Sequence, residues 1–353
     1  MWIEQEQLAI EMIQHIDVNG ESVSTDTNIP EEELIKIYHG MVKARVFDVR
    51  AMKLQRQGRI GTYAPLQGQE AAQIGSAFAT GEKDWIYPSY REIGVSLMKG
   101  MPMEKLFLYT MGHLEGLAQK KANVFPVQII IGAQYLHAVG GAWASQYKGE
   151  DSVSVAYIGD GGTSEGDFHE ALNFAGVYKL PIIFIVQNNQ WAISVPFEKQ
   201  TASKTIAQKA LAYGITGIRV DGNDAVAMYT TMKQAIEKAK AGKPVLIEAV
   251  TFRQGPHTTA DDPTKYRLPD EENQWSKKDP LLRMKKYITN LGIWNEKKDQ
   301  ELFEEMENLV TQAFEKAQST NPSQIKDVFN NIFEEKTKQL EEQQKQAEGA
   351  NRP

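Results

Sequence analysis

The sequence contains no cysteine. That excludes disulfides, a thiolate nucleophile and a Cys-ligated zinc site, and it suits a reducing cytoplasm. Long apolar runs are missing too. No stretch approaches the roughly 20 residues that a membrane-spanning helix needs, and the amino terminus is acidic where a targeting peptide would be basic. We therefore expect a cytoplasmic chain with no membrane partner, a mature organellar chain being the alternative. Positive charge is not in excess: 39 Lys and Arg face 46 Asp and Glu, for a net charge of -7. This argues against nucleic acid as the main partner. What remains is 353 residues, 41% hydrophobic and 24% charged, enough for one large α/β domain with helical extensions.

One stretch organises the rest: VSVAYIGDGGTSEGDFHEALNFAGVYKLPIIFIVQNNQWAISVP, Val153 to Pro196. Its apolar run Val153 to Ile158 predicts a strand that stops at Gly159-Asp160-Gly161-Gly162, where glycine lets the backbone turn sharply and approach a ligand. Ser164 and Asp167 have the spacing of a capping box opening a helix. Ile182 to Val186 predicts a second strand, ending at Gln187-Asn188-Asn189. A right-handed βαβ crossover makes the strands parallel and puts their carboxyl ends on one rim. Asp160 and Asn189 then face one crevice despite the 189 − 160 = 29 positions between them. One carboxylate, one amide oxygen and a backbone carbonyl near Trp191 form a hard, incomplete oxygen set that suits Mg²⁺, with phosphate and water completing the octahedron. The glycine-rich turn and helix amino terminus add N–H groups aimed at an anion. The alternative is a dinucleotide site. Its GxGxxG spacing is not met, and Asn-Asn stands where a ribose-binding acid is wanted.

Further signals repeat the βα pattern. Pro30 and three glutamates open a helix reaching about Gln57, with Met41, Val42, Val46 and Met52 inward. Glu70 to Ala79 and Thr205 to Tyr213 read as helices. Ile218 to Val220 reads as a strand, Asp224 to Ala241 as a helix capped by Asp224 and stopped by Gly242, and Val245 to Thr251 as a strand. Gln128 to Gln134 reads as a strand or helix entry before a helix ending near Lys148, and His137 is expected to be a packed core histidine. From Asp279 onward the pattern is helical, with a Lys-, Glu- and Gln-rich tail after Phe333. The fold class is α/β with a mostly parallel sheet flanked by helices. We divide it into an N-terminal arm (1–30), an α/β domain (31–278) and a C-terminal helical region (279–353).

GDG followed by NN at this interval resembles the thiamine-diphosphate (ThDP) motif. The longer match, GDGGTSEGDFHEALNFAG through NNQWAIS, is similar to the α subunits of 2-oxoacid dehydrogenase E1 components, of pyruvate dehydrogenase type, from about Leu54 to residue 320. The resemblance implies a ThDP-binding fold with ThDP and Mg²⁺ as cofactors. It assigns Asp160, Asn189 and the Trp191 carbonyl to the metal, and Tyr90, Arg91, Asp160, Gly161, Gly162, Asn189 and His257 to the cofactor. The backbone at Ile129 and Ile131 falls against the aminopyrimidine. His257 is the catalytic candidate, able to donate to phosphate or to pass a proton. Tyr63 sits where an aromatic is usual beside the site, the alternative being a structural turn. Thr258 falls where some relatives carry a phosphorylated serine, and Gln254 where tyrosine is common in pyruvate-specific relatives.

The family's cofactor chemistry needs a carboxylic acid at the aminopyrimidine, which in the family lies on a different chain. Only one α/β unit is present here, so the resemblance implies an E1 β partner in an α2β2 heterotetramer and a lipoyl-bearing E2 acyltransferase. The implied activity is oxidative decarboxylation of a 2-oxoacid with acyl transfer to the lipoyl group. Pyruvate is the first candidate, with a branched-chain 2-oxoacid or acetoin enzyme as alternatives. From other classes, a nucleotide-binding oxidoreductase and a non-catalytic interaction protein remain open.

Overall fold

The computed structural model describes residues 8, 10–24, 28–116, 122–127, 129–330 and 332–350. Gln128, parts of the N-terminal arm (1–7, 9 and 25–27) and the last residues of the tail (351–353) lie outside the described residues. Among the described residues eight strands are formed, β1 Met12–Ile13, β2 Trp85–Tyr87, β3 Ser154–Gly159, β4 Ile182–Asn188, β5 Trp191–Ala192, β6 Val195–Pro196, β7 Thr216–Asp221 and β8 Val245–Val250. Six make one sheet in the order β1-β7-β8-β4-β3-β2, and every pairing in it is parallel. β5 and β6 form a separate antiparallel hairpin.

The central strands are apolar almost without interruption because both faces are covered, and alternate residues serve different cores. Val155, Tyr157, Ile183 and Ile185 pack with Met228 and Met232 of the helix Ala225–Lys240. Ala156, Ile158, Phe184 and Val186 pack with Tyr135 of the helix Ala133–Lys148 and with Phe168 and Leu172 of the helix Gly166–Tyr178. A third core joins the long helix Glu31–Arg56 to Pro280–Asn290 and Glu296–Gln318. Met41, Val42 and Val46 are buried in it, and Met52 packs against its edge.

Several expectations need correcting. No capping box forms at Ser164: the glycine-rich turn coils into a 3-10 turn, Asp160–Ser164, and the helix starts after Glu165, which is extended and offers no side-chain cap. Ala207–Tyr213 is likewise a 3-10 turn, not an α-helix. The segment before Ala133 is a turn with Gly132 at φ 100. His137 is exposed, with its ring 5.5 Å from that of Phe125. The outer face of this helix is itself apolar, so its pattern does not tell inside from outside. The helix Ala225–Lys240, by contrast, is capped by Asp224 as expected.

Asp224 does more than cap. Besides Ala227 N–H (2.9 Å), its buried carboxylate accepts the N–H groups of His15 (2.7 Å) and Ile16 (2.6 Å). It thereby fixes the segment that adds β1 to the sheet edge. Asp224→Ala would leave three buried donors unpaired, and we expect a loss of about 3 kcal/mol in urea unfolding. Asp224→Asn, keeping one acceptor, should lose less; equal losses would show that the cap geometry is not what matters.

Candidate active site

The register of the parallel sheet builds the site. Gly159 of β3 lies opposite Gln187 of β4, and Asn188 lies opposite Val250 of β8. Asp160, Asn189 and the segment from Thr251 therefore leave the sheet on one rim, where α/β sheets take ligands. β2 adds Tyr90 and Arg91 beyond its own carboxyl end. A cavity of about 530 Å³ opens there, lined by Asp160, Gly161, Gly162, Asn189, Trp191, Tyr90, Arg91, His257, Ile129 and Ile131. All the residues singled out in the sequence for this site share one space. Tyr63 lines it too, its hydroxyl donating to the buried Asp48 at 2.7 Å.

The Asp160 end is rich in acceptors. Asn189 Nδ2 donates to Gln69 Oε1 at 3.1 Å. That turns its oxygen toward Asp160 Oδ1 and the Trp191 carbonyl, 3.2 and 3.1 Å away. Three oxygens then converge, two of them already accepting one hydrogen bond each, Asn189 Oδ1 from Trp191 N–H at 3.3 Å and the Trp191 carbonyl from Arg253 at 3.2 Å; a cation satisfies the lone pairs that are left. Turned over, the same amide donates to both oxygens, so Asn189 serves this spot in either state. Asp160 Oδ2 is buried with no hydrogen-bond partner. Burial pushes the Asp160 carboxyl up to about 6, against the pull of nearby N–H groups and of Arg253 and Arg91. Among the described residues no three His, Asp or Glu side chains gather around a metal position, so a cation here depends on amide, carbonyl and ligand oxygens. The glycines keep the approach open. A Cβ on Gly162 would meet Ile158 at 2.2 Å and Ile131 at 2.9 Å, and one on Gly161 would meet Ala192 at 2.8 Å.

The opposite wall is cationic. Arg91, 6% exposed, donates to the Pro65 carbonyl at 2.6 Å and the His257 carbonyl at 2.9 Å, and its Nη2 stands 3.2 Å from His257 Nδ1. Arg253 Nη1 stands 3.3 Å from the same nitrogen. Two guanidinium donors on Nδ1 make it the acceptor and leave the proton on Nε2. Burial, then the fields of Arg91 and Arg253, depress the His257 pKa to about 4. The Tyr90 ring meets His257 edge-on, with centroids 6.0 Å apart.

The sequence model of the family described as dehydrogenase E1 component matches residues 38–326. The chain is 44% identical over 342 residues to the pyruvate dehydrogenase E1 component subunit alpha of Staphylococcus aureus, covering 96% of this chain and 92% of that one. It is 43% identical over 346 residues to the protein of the same name from Staphylococcus epidermidis, covering 97% and 94%. The chain belongs to the dehydrogenase E1 component family. That family uses thiamine diphosphate.

In this E1 chain the geometry adds residues that the sequence reading missed. Arg253 is fully buried and donates to the Trp191 carbonyl (3.2 Å), the Ile193 carbonyl (2.8 Å) and the Tyr266 hydroxyl (2.9 Å). Its signal was present, four positions before His257 on the same rim. Gln69 and Asp48 carried none, because each acts through a contact made only in the fold.

The sign of the His257 shift fixes its pH behaviour. Its folded pKa lies below the ordinary 6.5, so as pH falls from 6.5 toward 4 the unfolded chain takes up a proton that the folded chain refuses. Its contribution to stability is full above that window and declines through it. Arg91→Ala removes one of the opposing fields, and the His257 ring-proton titration followed by NMR should move upward; an unmoved titration would refute the guanidinium explanation.

Proposed function

We propose that this chain is the α subunit of a 2-oxoacid dehydrogenase E1 component. It would act on pyruvate, with transfer of the acetyl group to a lipoyl-bearing E2 protein. The observation carrying the proposal is the pairing on one rim of a three-oxygen cluster with a buried two-arginine wall. This suits a magnesium-bound diphosphate, since cation and anion each meet their complement. The names of the staphylococcal relatives support pyruvate over a branched-chain acid.

The residues fit the cofactor. Asp160, Asn189 and the Trp191 carbonyl would hold Mg²⁺. Tyr90, Arg91, His257 and the N–H groups at Gly161 and Gly162 would hold the diphosphate, and the backbone at Ile129 and Ile131 the aminopyrimidine. Bound there, ThDP supplies the electron sink that makes loss of CO₂ from a 2-oxoacid feasible. The chain's own part is to bind and orient. Arg91 and Arg253 hold His257 as the Nε2–H tautomer, presenting a proton at the mouth of the site. A bound diphosphate would offset their field and bring the His257 pKa back toward neutrality, where an imidazole both gives and takes a proton.

The acid needed at the aminopyrimidine would come from a β partner, and the exterior is suited to one. Leu136 (36% exposed), Trp143 (45%), Tyr147 (89%), Val177 (66%) and Tyr178 (45%) make an apolar face. Trp143 stacks on Tyr178 at 5.2 Å and meets Phe174 at 5.3 Å, so the patch is continuous. Such faces mark interfaces. No helix of the described residues is long and apolar enough to cross a membrane, and we place the complex in the cytoplasm.

The test is 2-oxoacid-dependent reduction of a dye with ThDP and Mg²⁺, with and without the β chain, comparing pyruvate with 3-methyl-2-oxobutanoate. Activity should require both chains and favour pyruvate; preference for the branched acid would reassign the substrate. Asp160→Ala should abolish Mg²⁺-dependent ThDP binding in calorimetry while the circular dichroism of the complex persists. Retained affinity would remove the metal assignment. Trp143→Glu combined with Tyr147→Glu should leave this chain folded but prevent co-sedimentation with the β chain, and assembly unaffected by both charges would place the interface elsewhere.

A further inference from the structure

β8 reads VLIEAV, and its one ionisable residue, Glu248, is 0% exposed in the middle of the sheet. A carboxylate is costly there unless every lone pair is used. Its nearest cation, Arg219, stays 3.9 Å away with its Nε unbonded. Its hydrogen-bond partners are of another kind. Oε1 accepts Asn188 Nδ2 at 2.8 Å, while Oε2 accepts the N–H groups of Ile206 at 2.9 Å and Ala207 at 3.0 Å.

These partners bracket one loop. Residues 189–205 run from the end of β4 to the start of the 3-10 turn Ala207–Tyr213 and include the hairpin β5–β6 and the short helix Phe197–Gln200, and they carry Asn189 and Trp191. Two residues in the loop, Gln190 (φ 74) and Ile193 (φ 57), hold left-handed backbone without being glycine, a conformation that needs outside support. The first receives it from Asn188, whose Oδ1 accepts Gln190 N at 3.3 Å and Gln190 Nε2 at 3.2 Å. A carboxylate only accepts, so Glu248 forces the Asn188 amide to point nitrogen inward and oxygen toward Gln190. The loop also returns to the site through Gln200, whose Nε2 donates to the Asp160 carbonyl at 2.7 Å.

We propose that Glu248 is a positioning residue, one carboxylate holding both ends of the loop 189–205 so that Asn189 and the Trp191 carbonyl face Asp160. The proposal rests on reading those three residues as the cation's ligands. Partners behind the ligands of a metal typically govern affinity by about 10–100-fold.

The test uses the complex with its β chain, titrating Mg²⁺ at saturating ThDP by calorimetry. Glu248→Gln keeps size and an oxygen for Ile206 and Ala207 but sets a donor against Asn188. Half-saturation should move to a Mg²⁺ concentration about 10–100-fold higher. Adding Asn188→Asp restores an acceptor opposite the new amide and should recover most of the affinity. A purely structural carboxylate predicts otherwise: a lowered melting temperature with wild-type Mg²⁺ dependence, or no rescue by the second change, and either result overturns the proposal. If Glu248→Gln does not fold, Asn188→Ala removes the link at the first end of the loop together with its support of Gln190, leaving the bonds to Ile206 and Ala207 in place, and wild-type Mg²⁺ affinity in it is equally fatal. Wild-type ThDP binding that ignores Mg²⁺ would refute the ligand reading on its own. The clamp is then judged by hydrogen exchange of residues 189–205 in the ligand-free complex. Faster exchange in Glu248→Gln supports it and unchanged exchange refutes it.

Discussion

The register of three parallel strands is the constraint from which the site follows. Because Gly159 pairs with Gln187 and Asn188 with Val250, the chain leaves β3, β4 and β8 at nearly one level. A slip of one residue in β4 would turn Asn189 to the other side of the sheet. The slip is prevented from both faces at once, since Ile183 and Ile185 belong to one core and Phe184 and Val186 to the other. Packing far from the chemistry thus sets where one carboxylate and one amide meet.

On that frame the charges are arranged against their own comfort. Burial and the neighbouring Arg91 and Arg267 lower the Arg253 pKa to about 10, and Asp160 is raised to about 6. Arg91 and Arg253 converge on an imidazole instead of pairing with Asp160, though that acid and these cations line one cavity. Direct ion pairing would relieve both ends and close the space. Kept apart, acid and guanidinium groups each retain unmet capacity, a state that a metal with its anionic ligand relieves and that a stable fold alone has no reason to keep.

What was legible in the sequence was local. Strand, turn, helix and strand from Val153 to Asn189 follow one another within a single βαβ unit, so pattern and crossover handedness suffice to bring Asp160 to Asn189. Arg91 and His257 lie 166 positions apart, and no periodicity connects them; only resemblance to a family did. Finer features failed where geometry overrode pattern. Ser164 lost its cap because the GDGG turn coils, and His137 was misplaced because Leu136, Trp143 and Tyr147 make the outward face of its helix as apolar as the inward one. Glu248 was invisible for a simpler reason. A lone acid in a strand reads as an edge or solvent-facing residue until its partners, Asn188 and the N–H groups of Ile206 and Ala207, are brought to it.

That same outward face bears on how the site would be closed. The walls near Asp160 and Arg91 are buried, but Ile129, which lines the remaining side, is 71% exposed, and Ile130 next to it in the chain is 74% exposed. Water must be kept from a reacting centre of this kind, and nothing in the described residues covers that side. The helix Ala133–Lys148 begins directly after this open wall and carries Leu136, Trp143 and Tyr147 along its outer face. A partner that covers the aromatic face from its N-terminal end reaches Ile129 and Ile130 as well. In the proposed complex, burial of the apolar face and closure of the cavity are therefore one event, which would couple assembly of the two chains to the exclusion of water from the cofactor.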